Sequence, residues 1–332
     1  MNRRGSGGAR PEPLVRWRRI RQPQPRGGHA VRPSVPVNEN DTLTFTEDGR
    51  TALRMERPIG HPPGRVWEAL TRPELTAQWF PCEISAEPRA GEPVTFTFPG
   101  GEAPPMAGTV IEAEKPWVFA YTWGGDRFHW SVRPDRSLGD SRERARHSLL
   151  TLVHTFDDHY GAASFASGWH LCVDAMAQLL DGGPVRRGDD RDGALHEAYV
   201  AQFGLGAVTV EESGAGPALR FERQLVRPAR MVWALLTEGR DPAVGETAPA
   251  AFTTGNGSTG KITEVRAPEL LEYEVSQEGH VRWELTTGTG HGARLVLTVT
   301  ETPGDDEAVA AAGAAWYPVI EDLAARCAAT PQ

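Results

Sequence analysis

The stretch at residues 64–80, GRVWEALTRPELTAQWF, decides how this chain reads, because a worn echo, ARMVWALLTEGRDPAVGE, returns at 229–246. Val66, Ala69 and Leu70 fall on one helical face with Trp67 beside them, which predicts a short amphipathic helix. Thr71-Arg72-Pro73-Glu74 then has capping-box spacing. Thr71 is expected to cap a second short helix over about 73–79, with Glu74 reaching back and Pro73 tolerated in the first turn. That helix presents Leu75, Trp79 and Phe80, so two short helices in a V are expected.

Their surroundings read as strands. TALRMERPI precedes them, and EPVTFTFPG, MAGTVIEAE, WVFAYTWG, RFHWSV and HSLLTLVHTF follow, mostly alternating apolar and polar residues between Gly and Pro punctuation. RPDRSLGDSRERAR (133–146) reads as a polar loop. AASFASGWHLCVDAMAQLLDGG closes the unit as a longer helix, with Phe165, Trp169, Cys172 or Val173, Met176 and Leu180 spaced by three or four, and Gly182-Gly183 ending it. An antiparallel meander with helices on one face is α+β, and a sheet that grips a long helix leaves room for a cavity between them.

The second half repeats this order. Arg57, Ile59, Pro62, Val66, Trp67, Leu70 and Thr71 shift by 166 positions onto Arg223, Leu225, Pro228, Val232, Trp233, Leu236 and Thr237. Gly108, Pro116 and Tyr121 shift by 152 onto Gly260, Pro268 and Tyr273, while Leu150, Leu152 and Thr155 shift by 145 onto Leu295, Leu297 and Thr300. Trp169 corresponds to Trp316. A tandem duplication follows, with the extra residues of the first copy in its loops. The second copy lacks the capping box, and its closing helix, which contains Pro318, is expected to be shorter. The expected organisation is a disordered basic arm at 1–38, a first unit at 39–206 and a diverged second unit at 207–332. ALHEAYVAQFGL, after the polar linker DGGPVRRGDDRDG, is read as a helix packing back on the first unit.

The 332 residues leave room for two ordinary domains. A hydrophobic fraction of 39% and a charged fraction of 24% are those of a water-soluble globular chain, and no apolar run reaches the roughly 20 residues of a membrane span. Cys82, Cys172 and Cys327 lie far apart without a CxxC, which argues against a disulfide framework or zinc site and for the cytoplasm. Residues 1–36 hold nine arginines against Glu12. The net charge of −9 therefore leaves a strongly acidic body, unsuited to nucleic acid or an anionic membrane.

The motifs VWEALTRPELTAQWF, GTVIEAEKPWVFAYTW, LLTLVHT and GWHLCVDAMAQLL, in this order, resemble the branch of the SRPBCC (START-like, helix-grip) superfamily named for the activator of heat-shock protein 90 ATPase. The resemblance covers about residues 50–182, with a diverged version over about 207–328. It implies two helix-grip domains, each a curved antiparallel sheet wrapped on a long C-terminal helix with two short helices. It also implies an apolar cavity that binds hydrophobic small molecules and in some branches hosts cyclase or aromatase chemistry. Heat-shock activators carry a different, Lys/Asn-rich N-terminal domain, whereas residues 1–36 here contain no lysine.

Trp79, Phe80, Tyr121, Trp123, Trp130, His154 and Trp169 are the candidate cavity residues. The competing reading for each aromatic is a core clamp between helix and sheet. His154 alternates with Leu150 and Leu152 and is placed on the inward face, where an imidazole can bond a ligand or act as a base. Catalysis would need a partner such as Asp157, Asp174 or Tyr121, and the competing reading is a satisfied structural histidine. The Gly-rich GNGSTGK at 255–261 lacks phosphate-loop spacing, and no cofactor or metal motif is found. The expected function is binding of an apolar small molecule in the first unit. The alternatives are a helix-grip cyclase or hydrolase using His154, or a chaperone-accessory or other protein-interaction module.

Overall fold

The computed structural model describes residues 16–19 and 37–330, except 102–103, 187, 189, 191–192, 214–215, 256–258, 277–278, 291 and 301–305. The chain is mixed α+β, consistent with a helix-grip fold: two antiparallel sheets and, among the described residues, seven α-helices. In chain order the first part runs β1 (Arg16–Arg19), β2 (Thr42–Phe45), β3 (Thr51–Ile59), α1 (Pro63–Thr71), α2 (Pro73–Trp79), β4 (Glu83–Ala86), β5 (Pro93–Thr97), β6 (Met106–Glu114), β7 (Val118–Trp123), β8 (Asp126–Pro134), α3 (Ser141–Arg146), β9 (Ser148–Phe156) and α4 (Ala162–Leu180). Then follow α5 (Ala194–Phe203), β10 (Thr209–Ser213), β11 (Gly216–Gln224), α6 (Ala229–Thr237), β12 (Ile262–Arg266), β13 (Leu270–Glu274), β14 (His280–Thr287), β15 (Ala293–Val299) and α7 (Asp306–Ala329).

One sheet has the order β2-β3-β9-β8-β7-β6-β5-β4 and the other β1-β10-β11-β15-β14-β13-β12. Removing β1, β4 and β5 leaves the same six-strand order in both. The ladders also break in matching places, with a register shift between Val110 and Glu112 on β6 and between Ile262 and Glu264 on β12. Next to each shift stands a glycine with no room for a side chain. A Cβ on Gly108 would sit 1.8 Å from the Thr122 carbonyl oxygen, and one on Gly260 would sit 1.3 Å from that of Glu274.

Alternation makes the strands and places the core. Along β8, Phe128, Trp130 and Val132 are buried while their neighbours face outward. Trp130 meets Trp79 edge-on at 6.0 Å and Trp169 of α4 at 5.7 Å, which ties the short helices, the sheet and the long helix into one cluster. In the second half Phe252 meets Trp283 edge-on at 5.4 Å, and Trp283 meets Trp316 at 6.1 Å.

Several local expectations need correction. Thr71 does not cap α2: it ends α1, and its hydroxyl donates to the Trp67 carbonyl at 2.8 Å. Arg72 alone separates the helices, extended at φ −91° and ψ 119° as the residue before a proline must be, and Glu74 bonds the Arg72 guanidinium and its own amide rather than reaching back to Thr71. Between α6 and β12 the second half has a single 3-10 turn at Ala250–Phe252. The polar segment 133–146 contains α3, started by Asp140 accepting from the Arg142 amide. The closing helix of the second half is longer than that of the first, 24 residues against 19, because an alanine-rich run lengthens it ahead of Trp316. Residues 16–19 of the basic arm form the edge strand β1 beside β10, and the rest of 1–36 lies outside the described residues.

Candidate functional site

A cavity of about 490 Å³ opens at one end of the first sheet, between the β7–β8 turn and the N-terminal half of α4. The turn supplies Trp123, Gly124, Gly125 and Asp126, with Phe128 just beyond. From α4 come Ser164, Phe165, Gly168, Trp169 and Cys172; His154 stands on β9, and Pro81 and Met106 complete the rim. Two facts of sequence build this wall. Strand alternation turns Phe128 and His154 to the same face as direct cross-strand partners, and a spacing of four on α4 brings Phe165 and Trp169 over them.

Of the seven residues expected from sequence, Trp123, His154 and Trp169 line the cavity. Trp79, Phe80, Tyr121 and Trp130 stand behind it, no more than 2% exposed. Their polar atoms are used internally: Trp79 Nε1 donates to the Ala69 carbonyl at 2.9 Å and Trp130 Nε1 to Tyr121 Oη at 3.2 Å. Phe80 backs the lining, 5.4 Å from Trp169 and 5.7 Å from Trp123. Sequence reading missed Asp126, Phe128, Met106 and Gly168. The usable signal was the pairing of β8 with β9, which puts Phe128 opposite His154, and the tight GGD turn that carries Asp126.

His154 is 1% exposed and both its ring nitrogens are engaged. Trp169 Nε1 donates to Nδ1 at 3.2 Å, which places the imidazole proton on Nε2, facing Asp126 Oδ2 at 2.9 Å. The ring stacks on Phe128 at 4.2 Å and lies 4.7 Å from both Phe156 and Phe165. Burial pushes the His154 pKa below its ordinary value; Asp126 works against that shift and Arg50 with it. Arg50 fixes the turn, donating to the Gly125 carbonyl at 2.9 Å and to Asp157 at 2.6 Å, with Asp126 3.7 Å away.

The partners expected for a catalytic His154 are elsewhere. Asp157 pairs with Arg50, Asp174 lies 3.5 Å from His170, and Tyr121 accepts from Trp130. His170 points away from the cavity to Tyr199 of α5 at 2.9 Å, and His129 is half-exposed on the other face of the sheet, 4.0 Å from Glu112. Among the described residues no group of three or more His, Cys, Asp or Glu side chains could hold a metal ion, and no helix is long and apolar enough to cross a membrane. What the site offers chemically is an aromatic-walled recess with one carboxylate at its rim.

No curated protein matches the chain. Solved structures similar to part of it include the conserved protein of unknown function EF2215 from Enterococcus faecalis, at 16% identity and a TM-score of 0.40 over 49% of this chain and 90% of that one. CalU16 from Micromonospora echinospora is 17% identical with a TM-score of 0.37, covering 49% of this chain and 92% of that one. SSP2350 from Staphylococcus saprophyticus is 16% identical with a TM-score of 0.35, over 41% and 97%. The stretch that builds the short helices, most of the first sheet and the cavity-bearing helix α4, residues 60–181, matches the family described as Activator of Hsp90 ATPase homolog 1-like protein.

Proposed function

We propose that the first half of this protein binds a hydrophobic small molecule in the cavity under α4 and does so without chemistry. The observation that carries this is the pairing of an open, aromatic-lined space with a histidine whose two nitrogens already have partners. Filling such a space gains roughly 25 cal/mol per Å² of apolar surface removed from water. A general base needs a nitrogen free to take a proton, and here Asp126 and Trp169 occupy both. The family match over residues 60–181 agrees with a ligand-binding helix-grip unit.

The second half is read as a diverged copy of the same unit. Identical order in six strands, matching register shifts, and the Gly108 and Gly260 close approaches support this. The copy has lost the polar feature of the cavity: Val299 pairs with Val281 where the first half pairs His154 with Phe128.

Gly168 gives the test. It is exposed at the cavity mouth, and a Cβ built on it meets nothing within 4 Å, so a larger side chain can be placed across the mouth without touching the core. Titration with the neutral dye N-phenyl-1-naphthylamine should show saturable fluorescence enhancement with one equivalent bound. Gly168→Leu should abolish it while melting no lower than the parent, since replacing a helical glycine gains about 1 kcal/mol. Dye uptake that is absent from the parent, or unchanged in Gly168→Leu, would remove the cavity from consideration.

A further inference from the structure

The two halves meet at the loop that starts α4. Asp158, in the segment between β9 and α4, accepts from Arg294 of β15, with Nη2 2.8 Å from Oδ1 and 2.6 Å from Oδ2. Thr289 donates to the same carboxylate through its hydroxyl. Asp158 Oδ1 also accepts from the amide of Gly161, the residue at the N-cap of α4, at 3.2 Å. Arg294 is 7% exposed, and its other nitrogens are held within its own half, Nε by Gln224 at 3.3 Å and Nη1 by Glu222 at 3.0 Å. Its guanidinium carbon lies 5.8 Å from the centre of the Tyr160 ring. The contact is tight: a Cβ on Gly161 would come within 2.3 Å of Thr289 Oγ1.

This arginine is not inherited from the repeat. The matching position on β9 is Leu149, so the second half carries a charged group there that the first half does without. With Nε held by Gln224 and Nη1 by Glu222, the buried guanidinium cannot turn, so Nη2 presents a fixed charged donor to both oxygens of Asp158 and sets orientation as well as distance. The element it fixes is the cavity wall, since Ser164, Phe165 and Gly168 lie on the first turns of α4.

We propose that Arg294 is a positioning residue for the cavity: through Asp158, the second half holds the N-terminal turns of α4 in the place from which they line the ligand space. The functional sense of this rests on the reading of that space as a binding site, whereas the mechanical sense does not. The second half then acts as a jig for the first.

The test uses the full chain. Amide hydrogen exchange would be followed at 165–169, whose amides bond inside the helix, and at 174–180 in the same helix as an internal reference. Arg294→Met and Asp158→Asn should each speed exchange at 165–169 by roughly tenfold relative to 174–180, and the double variant should add little to either, as expected for one shared contact. Glu222→Gln, which disturbs the same arginine within its own half, should leave the ratio unchanged. Should Arg294→Met fail to fold, Asp158→Asn, which keeps the side chain's size, carries the test. An unchanged ratio in Asp158→Asn, or equal acceleration along the whole helix, overturns the inference. Severalfold weaker binding of N-phenyl-1-naphthylamine in the two variants, beside the exchange change, ties the clamp to the cavity. The exchange change in a parent that takes up no dye upholds the clamp and removes the ligand reading instead.

Discussion

His154 is held from every side. Its proton faces Asp126, its lone pair faces the Trp169 indole, and Phe128 covers its ring. Truncation to alanine would leave the indole N–H and the carboxylate without their partner and open a gap in the aromatic cluster, at a cost of about 3 kcal/mol. The depressed pKa adds a pH signature. Burial makes the folded state resist protonation of His154, so below its ordinary value of 6.5 the unfolded chain binds the proton more readily. The stability this group contributes is therefore complete above about 6.5 and is lost as the pH falls toward the folded pKa. His154→Gln can keep both hydrogen bonds without titrating. The melting temperature of the parent should fall relative to His154→Gln between pH 7 and pH 5; a constant difference across that range would mean the imidazole titrates alike in both states. Alternation alone put this residue on the inner face with Leu150 and Leu152. Asp126, 28 positions away, was invisible because only the β8–β9 register brings it near.

At the scale of elements, strands were legible and helix ends were not. Strand alternation survives in the sequence because each residue faces either core or solvent, as along β8. Helix termini depend on which of several local hydrogen bonds wins, and the TRPE box lost to the i−4 bond of Thr71. The cavity was legible only in part for a related reason. Periodicity tells an inward aromatic from an outward one, yet it cannot tell Trp169, at the cavity wall, from Trp79, one layer deeper. The β6–β7 bulge carries its own prediction. The atom that blocks a side chain at Gly108 is backbone oxygen, which cannot swing aside. Gly108→Ala should therefore cost about 3 kcal/mol in urea unfolding, with loss of the β6–β7 pairing. Gly64 in α1 is the contrasting case, exposed and with nothing within 4 Å of a built Cβ, so Gly64→Ala should stabilise by about 0.5–1 kcal/mol. Equal stabilisation at the two sites would show that the reduced freedom of the unfolded chain, and not the close approach, decides the effect at Gly108.

Across the whole molecule, α5 joins the halves in a second place, besides the Asp158–Arg294 contact. One side of α5 reaches the first half, where Tyr199 bonds Asp41 at 2.8 Å and His170 at 2.9 Å. Its Glu197 turns to the second half and pairs with Arg223 of β11. Arg223 stands opposite Leu295 in the second sheet as Arg57 stands opposite Leu150 in the first, but their surroundings differ. Arg57 is gripped by both oxygens of Asp41 at 2.6 and 2.8 Å, whereas Arg223 has Glu197 on one side and Glu321 of α7 at 3.4 Å on the other. One guanidinium between two carboxylates cannot favour both as anions equally. Burial works against the charge of Glu197, but the bond from His196 and the charge of Arg223 outweigh it and hold that carboxyl below its usual range. Burial, with the neighbouring Glu197 charge, raises the pKa of Glu321 instead, against the pull of Arg223. The folded chain thus keeps a proton on Glu321 above the 4.5 at which the unfolded chain releases it. Stability from the protonated group is present below that value and is lost as the pH rises through the folded pKa. Glu321→Gln fixes the neutral form, so it should melt higher than the parent at pH 7.5, and the advantage should fade as the pH approaches 4.5. A variant that melts lower at pH 7.5 would mean that Arg223 needs the second carboxylate charge, and that the joint between the halves rests on a three-membered ion cluster rather than on the Glu197 pair alone.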